Sequence, residues 1–130
     1  MGAWRGENDR LRRGLDALLK SPHPIAGPLA LYARVALREM APPEGFGVAS
    51  TQFAVSPRVR SIALQMQAEA LGAIGDVAGS TACVELAATT VLVDLDWIDR
   101  CPLIASVRSD EKFPEWRRTV ALRCEDVWSA

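Results

Sequence analysis

The sequence predicts an α+β fold: two N-terminal helices, then a β-α-β-β-β unit with a mostly antiparallel sheet and one long packed helix over residues 57–75. The length of 130 residues fits a single domain, residues 1–130. Residues 61–99 contain no lysine or arginine and are dense in apolar side chains, which is typical of buried backbone. Within this stretch a helical repeat gives way to a run rich in Val and Thr, which is typical of strands.

The first predicted element is an amphipathic helix over residues 7–20, capped by Asn8 or Asp9. Its apolar residues recur at i, i+4, i+7 and i+8, and they are Leu11, Leu15, Leu18 and Leu19. An isolated helix of this length is marginal in water, so it must pack on its own domain or on a partner. Because prolines break the chain after it, we hypothesise that residues 1–24 form a mobile helical arm.

A second helix is predicted over residues 28–41, where Gly27 and Pro28 suit its N-cap and its first position. A Pro-Pro pair ends it. Its apolar stripe consists of Leu29, Tyr32, Ala33, Ala36, Leu37 and Met40. After the loop PPEGFG, the pattern of residues 47–55 indicates the first strand.

The long helix has the clearest start signal in the chain. The side chain of Ser56 can cap its free amides, and Pro57 suits its first position. Gly75 supplies a stop signal. The helical repeat predicts that one face packs on the sheet, with Val59, Ile62, Ala63, Met66, Ala70, Ala73, Ile74 and Val77 inward. The predicted solvent-facing residues are Arg58, Arg60, Gln65, Gln67 and Glu69.

The rest of the chain is predicted to complete the sheet. Residues 91–96 (VLVDLD) indicate a strand, whereas residues 81–90 fit a strand or a helix equally well. Residues 103–108 indicate another strand. Apolar and polar residues alternate over residues 118–128, which predicts a last strand paired with the preceding one in a hairpin with a long loop. Its predicted inward side chains are Val120, Leu122 and Cys124.

The charge distribution disfavours nucleic acid as a partner. The net charge is −1, with nine basic and five acidic residues in 1–60 and only acidic ones, six in number, in 61–99. A nucleic-acid-binding protein instead carries a strong basic excess on one face.

The cysteines and the hydropathy pattern indicate an intracellular protein. Cys83, Cys101 and Cys124 are odd in number and lack zinc-site or disulfide spacing, so we expect three buried, reduced thiols. Neither a signal-peptide pattern nor an apolar run long enough for a membrane span occurs. The expected location is the cytoplasm, or the virion if a phage encodes the chain, and no cofactor is predicted.

Asp94 and Asp96 are the sharpest candidates for chemistry. They lie two residues apart at the end of a predicted strand, where an Asp-x-Asp pair can hold Mg²⁺ together with a phosphate. The pair resembles the first motif of haloacid-dehalogenase-type phosphatases, but Ile98 stands where that motif has Thr or Val. Asp99 lies close by. The competing interpretation is that these carboxylates form a turn or cap a helix.

The four tryptophans, Trp4, Trp97, Trp116 and Trp128, lie near element ends or termini. Because Trp and Arg dominate protein–protein hot spots, we predict a protein-binding surface on the N-terminal helix and on the loop before the last strand. Its residues are Trp4, Leu11, Leu15, Trp116, Arg117 and Arg118. The alternative is that each tryptophan closes an edge of the core with its N–H in water.

These observations favour a small, non-enzymatic assembly subunit, of bacterial or phage origin, that acts through protein–protein contacts and is oligomeric. The closing pattern of strand, polar loop, Trp and alternating strand loosely resembles the C-terminal hairpin of small phage tail-completion proteins. That resemblance implies a tail or neck component of a virion, and an accessory subunit of a multiprotein complex fits equally well. The alternative is a small enzyme or ligand-binding domain in which Asp94 and Asp96 act with Arg117 or Arg118 on an anionic or Mg²⁺-bound substrate.

Overall fold

The computed structural model describes residues 8–22, 26–44, 46–47 and 56–129. These residues form six α-helices: α1 (Asn8–Lys20), α2 (Ala26–Ala36), α3 (Pro57–Ala73), α4 (Val77–Thr90), α5 (Leu95–Arg100) and α6 (Phe113–Ser129). Two 3₁₀ helices, Pro102–Ile104 and Val107–Ser109, lie between α5 and α6.

The predicted α+β fold is therefore wrong, because the described ranges contain helices and no strand. The antiparallel sheet and its final hairpin do not form there. The predicted strand over residues 47–55 lies outside the described residues except for Gly47, which is in a turn.

The final alternating segment is a helix because a second apolar pattern overlaps the first. Phe113, Trp116, Val120 and Cys124 recur at helical spacing and are buried along one face of α6. Leu122, which the strand prediction placed inward, lies on the opposite face and is 56% exposed. The strand prediction for residues 118–128 relied on the two-residue repeat of a strand. Burial in this segment instead follows the 3.6-residue repeat of a helix.

The segments at 91–96 and 103–108 fail as strands for local reasons. Leu92 donates its backbone N–H to the carbonyl of Ala87 just after the end of α4, and the Asp94 side chain caps α5, so residues 91–94 connect the two helices and only Leu95 and Asp96 of VLVDLD are helical. Ile104 and Val107 are three residues apart, which is the repeat of a 3₁₀ helix, and both are fully buried.

Residues 81–90, for which strand and helix were both open, belong to α4. The threonines are accommodated because their hydroxyls donate to carbonyls four residues earlier, from Thr81 to Val77 at 2.7 Å and from Thr89 to Glu85 at 2.8 Å. The fully buried core residues of α4 are Cys83, Val84, Ala87 and Ala88.

Helices α3 and α4 form a tight hairpin at the centre of the fold. The cap predicted at Ser56 is confirmed, because its Oγ accepts from the N–H of Val59 at 3.2 Å. Gly75 ends α3 with φ +83°, and Asp76 then caps α4 by accepting from the N–H of Gly79 at 2.9 Å. Inside the hairpin the buried Ser80 hydroxyl donates to the carbonyl of Ala68 at 2.9 Å.

The predicted inward face of α3 is wrong in part, although Ala70 is buried as predicted. Gln67 and Glu69, expected in solvent, are buried, whereas Val59 and Ile62 are each 40% exposed. The reason is that α3 is enclosed on several sides, by α4, by α2 and by the first 3₁₀ helix, so no single stripe defines its interior. The α3 members of the main core are Leu64, Ala68 and Leu71.

Helix α1 packs on α2 through a small separate cluster in which Leu15 contacts Ala30 and Ala33. Arg12 of α1 also forms an ion pair with Glu39 beyond the end of α2. Helix α2 runs over Ala26–Ala36 and is thus shorter at its C-terminus than the predicted 28–41. None of the helices in the described part of the chain is long and apolar enough to cross a bilayer.

Candidate functional site

Asp94 is a helix cap. Its Oδ1 accepts from the backbone N–H of Trp97 at 2.9 Å, which satisfies one of the free amides of α5. Its Oδ2 accepts from Nε2 of Gln65 at 3.4 Å, so the same carboxylate ties α5 to α3. The two acids of the predicted Asp-x-Asp site therefore stand at the start of a helix.

The neighbouring acids are each engaged with an arginine. Asp96 pairs with Arg100 across one turn of α5 at 3.3 Å, and both side chains are exposed. Asp99 accepts two hydrogen bonds from Arg117 of α6, at 3.1 and 3.0 Å. The hydrogen bonds and charge of Asp99 raise the pKa of Arg117 above its usual value. Arg118 is exposed on the adjacent position of α6.

Two other arginines serve the ends of helices. Arg108 donates to the carbonyls of Ile98 and Cys101 at 3.3 and 2.9 Å, at the end of α5. Arg123 donates to the carbonyls of Leu92 and Ala88 at 2.7 and 2.9 Å, at the end of α4. A cation at a helix C-terminus satisfies free carbonyls and complements the helix dipole. These guanidinium groups stabilise the fold and are not directed at a ligand.

The described residues do not gather three or more His, Cys, Asp or Glu side chains that could hold a metal ion. The three thiols are free and buried, as the sequence predicts. Burial raises the pKa of the Cys83 thiol to about 12 and that of Cys101 to about 11. Both thiols are therefore protonated near neutral pH and are poor nucleophiles.

A buried carboxyl group that sequence reasoning missed lies between α3 and α5. Glu69 is almost fully buried, and its Oε1 accepts from Nε1 of Trp97 at 2.9 Å. Burial raises the pKa of Glu69 to about 7, the charge of Asp94 adds to the increase, and the Trp97 hydrogen bond opposes it. The sequence feature that could have indicated this burial is that the neighbours of Glu69 within residues 68–71 are all apolar.

The predicted protein-binding residues are dispersed. Trp116 is buried in the main core, and Leu15 is buried against α2, so neither side chain is offered to a partner. Arg117 is held by Asp99. Trp4 and the side chain of Leu11 lie outside the described residues. The four residues of this set whose side chains the structure describes, Leu15, Trp116, Arg117 and Arg118, are therefore not gathered on one surface.

A different apolar surface lies at the end of α6. The buried stripe of α6 continues past Cys124 to Val127 and Trp128, which are 56% and 88% exposed because the core ends before the helix does. Val93 is also exposed. Its backbone carbonyl accepts from Sγ of Cys124 at 3.1 Å, which places Val93 near the last turns of α6. We call Val93, Val127 and Trp128 the terminal patch.

The terminal patch was within reach of the sequence. Trp128 follows Cys124 by four residues, so a helical interpretation of residues 113–129 would have placed both on one face.

Comparison of the chain with protein-family models, with curated proteins and with solved structures finds no match.

Proposed function

We propose that this protein is a small structural subunit that assembles through protein–protein contacts. The observation that supports the proposal is the terminal patch. There the large side chain of Trp128 is 88% exposed, although it follows a stripe of buried residues on α6. Aromatic side chains dominate the binding energy of protein interfaces, and Trp is among the most enriched. A partner that covers Val127 and Trp128 would complete the apolar face that α6 begins inside the core.

The alternative of a small enzyme or ligand-binding domain gains no comparable support. Asp94 caps α5, Asp96 pairs with Arg100, and Asp99 binds Arg117, so each acid already has a structural partner. Arg117 is held on Asp99 and is not poised over Asp94 and Asp96. The geometry of these groups is that of helix termini and surface ion pairs.

The test is the native mass of the protein in extracts of cells that naturally produce it. We expect a particle larger than the 14.1 kDa chain. The variant Trp128→Ala should reduce that mass, whereas Leu122→Ala, which truncates an exposed apolar residue on the opposite face of the same helix, should not. A wild-type chain that migrates as a single copy in the extract would overturn the proposal.

A further inference from the structure

We propose that the partner of the terminal patch is a second copy of this chain, which seats the C-terminal end of its α1 against Val127 and Trp128. This inference rests on the proposed assembly function and names its partner. The contact would join two different surfaces of the same chain.

Helix α1 has an exposed apolar side chain next to the surface that packs on α2. Leu15 is buried against α2, but Leu19, one turn further on, is 53% exposed. Because residues at i and i+4 share one side of a helix, Leu19 extends the α1 stripe beyond the cover of α2. Helix α1 can therefore keep its contact with α2 and present Leu19 to a neighbour.

The charges around the two surfaces are complementary. Lys20 is next to Leu19, and the exposed charged residues described on α1, Arg12, Arg13, Asp16 and Lys20, are basic on balance. Glu125 and Asp126 are exposed on α6, and Glu125 stands one turn before Trp128. Opposite charges around an apolar contact steer the encounter and fix its orientation, and they disfavour partners with like charge.

The same charges disfavour the symmetric alternative, in which two terminal patches meet. That arrangement would bring Glu125 and Asp126 of both copies around one apolar contact, and like charges at an interface are repulsive. An α1-to-patch contact can form twice in a reciprocal dimer; otherwise it leaves one unused α1 and one unused patch at every step and closes into a larger ring or continues as a chain.

The experiment uses the purified full-length chain and measures its mass by sedimentation as concentration rises. We expect the mass to rise above that of a single 14.1 kDa copy. Trp128→Ala should weaken association about tenfold or more, as expected for the loss of an aromatic anchor. Leu122→Ala is the matched control and should associate like the wild type.

Charge reversal then identifies the two surfaces. Lys20→Glu and Glu125→Lys should each weaken association, and the double variant should restore it, because the pair of charges is exchanged. Circular dichroism of each variant should show unchanged helix content. A double variant no better than the singles would overturn the α1-to-α6 contact.

Two further outcomes would contradict the inference. A wild-type mass that stops at two copies, together with no recovery of association in the double variant, would indicate the symmetric contact between terminal patches. A purified chain that remains a single copy, while the particle in cell extracts is larger, would show that the patch binds another protein. That last result would leave the assembly function standing and remove only the second copy as partner.

Discussion

Nε1 of Trp97 in α5 donates a 2.9 Å hydrogen bond to Oε1 of Glu69 in α3 inside the core. Asp94 starts α5 three residues earlier and also contacts α3 through Gln65. A short six-residue helix is thus fixed to the central helix by two side-chain hydrogen bonds. One of them ends on a carboxyl group that is almost fully buried.

The buried Glu69 predicts that stability falls as pH rises. Its pKa is raised from 4.5 to about 7 in the folded chain, so the folded state holds the proton more tightly than the unfolded state. The stabilisation is complete below pH 4.5, is lost progressively as pH rises through 7, and amounts to roughly 3 kcal/mol. Denaturant unfolding at a series of pH values measures it.

Glu69→Gln should flatten this dependence, because the amide carries no titrating proton. Glu85→Gln, at an exposed position of α4, is the matched control and should retain the wild-type profile. An unchanged slope in Glu69→Gln would mean that Glu69 does not control the pH dependence of stability.

Two glycine-to-alanine changes should act in opposite directions. A Cβ at Gly72 would lie 1.9 Å from the carbonyl oxygen of Leu103, so the first 3₁₀ helix must move away from α3. We expect Gly72→Ala to cost about 3 kcal/mol or more of the free energy of unfolding. At Gly14 in α1 a Cβ meets nothing within 4 Å, and alanine should stabilise by about 0.5–1 kcal/mol. Equal effects in urea titrations would contradict this packing.

The capping role of Asp94 predicts a contrast within the Asp-x-Asp pair. Asp94→Ala should lower stability by about 1 kcal/mol, and Asp94→Asn should lose less because asparagine also caps helices. Asp96→Asn should change stability by no more than about 0.5 kcal/mol, since it removes only an exposed ion pair. Added Mg²⁺ should not raise the melting temperature. A rise that Asp96→Asn abolishes would reinstate the metal-site hypothesis.

Arg38 is held in a left-handed conformation for which glycine is better suited. Its φ is +60° just after α2, and its Nη2 donates to the carbonyl of Ala73 at the end of α3 at 3.0 Å. Arg38→Ala loses the hydrogen bond and keeps the strain, whereas Arg38→Gly loses the bond and relieves it. Glycine should therefore be the more stable variant by about 1 kcal/mol. Thermal melts that rank alanine above glycine would refute this backbone assignment.

The sequence identified the helices whose boundary signals are local. Ser56, Pro57 and Gly75 specify the ends of α3 through a side-chain acceptor, a missing amide and a left-handed turn, and none of these depends on distant residues. The apolar repeat of α1 likewise needs only its own residues. The burial of the three thiols was also predictable, because cysteine spacing excludes the common exposed uses.

The later elements could not be assigned locally. The segment 81–90 did not reveal its period because its exposed positions are Ala82, Glu85, Thr89 and Thr90, so the solvent-facing side carries a single charged residue. The interior of α3 was likewise obscured, since Gln67 and Glu69 are buried by neighbours that are distant in the sequence.

By itself, the sequence determined where helices α1 and α3 begin and end and that the stretch 61–99, which lacks lysine and arginine, supplies much of the core. Only the tertiary structure decided that VLVDLD forms the connection between α4 and α5 and the start of α5, that Trp116 faces inward, and that Trp128 reaches water. The physical reason is that helix caps are set by neighbours in the chain. The burial of a side chain is set instead by which other elements reach it, and α6 simply extends one turn beyond the residues that cover it.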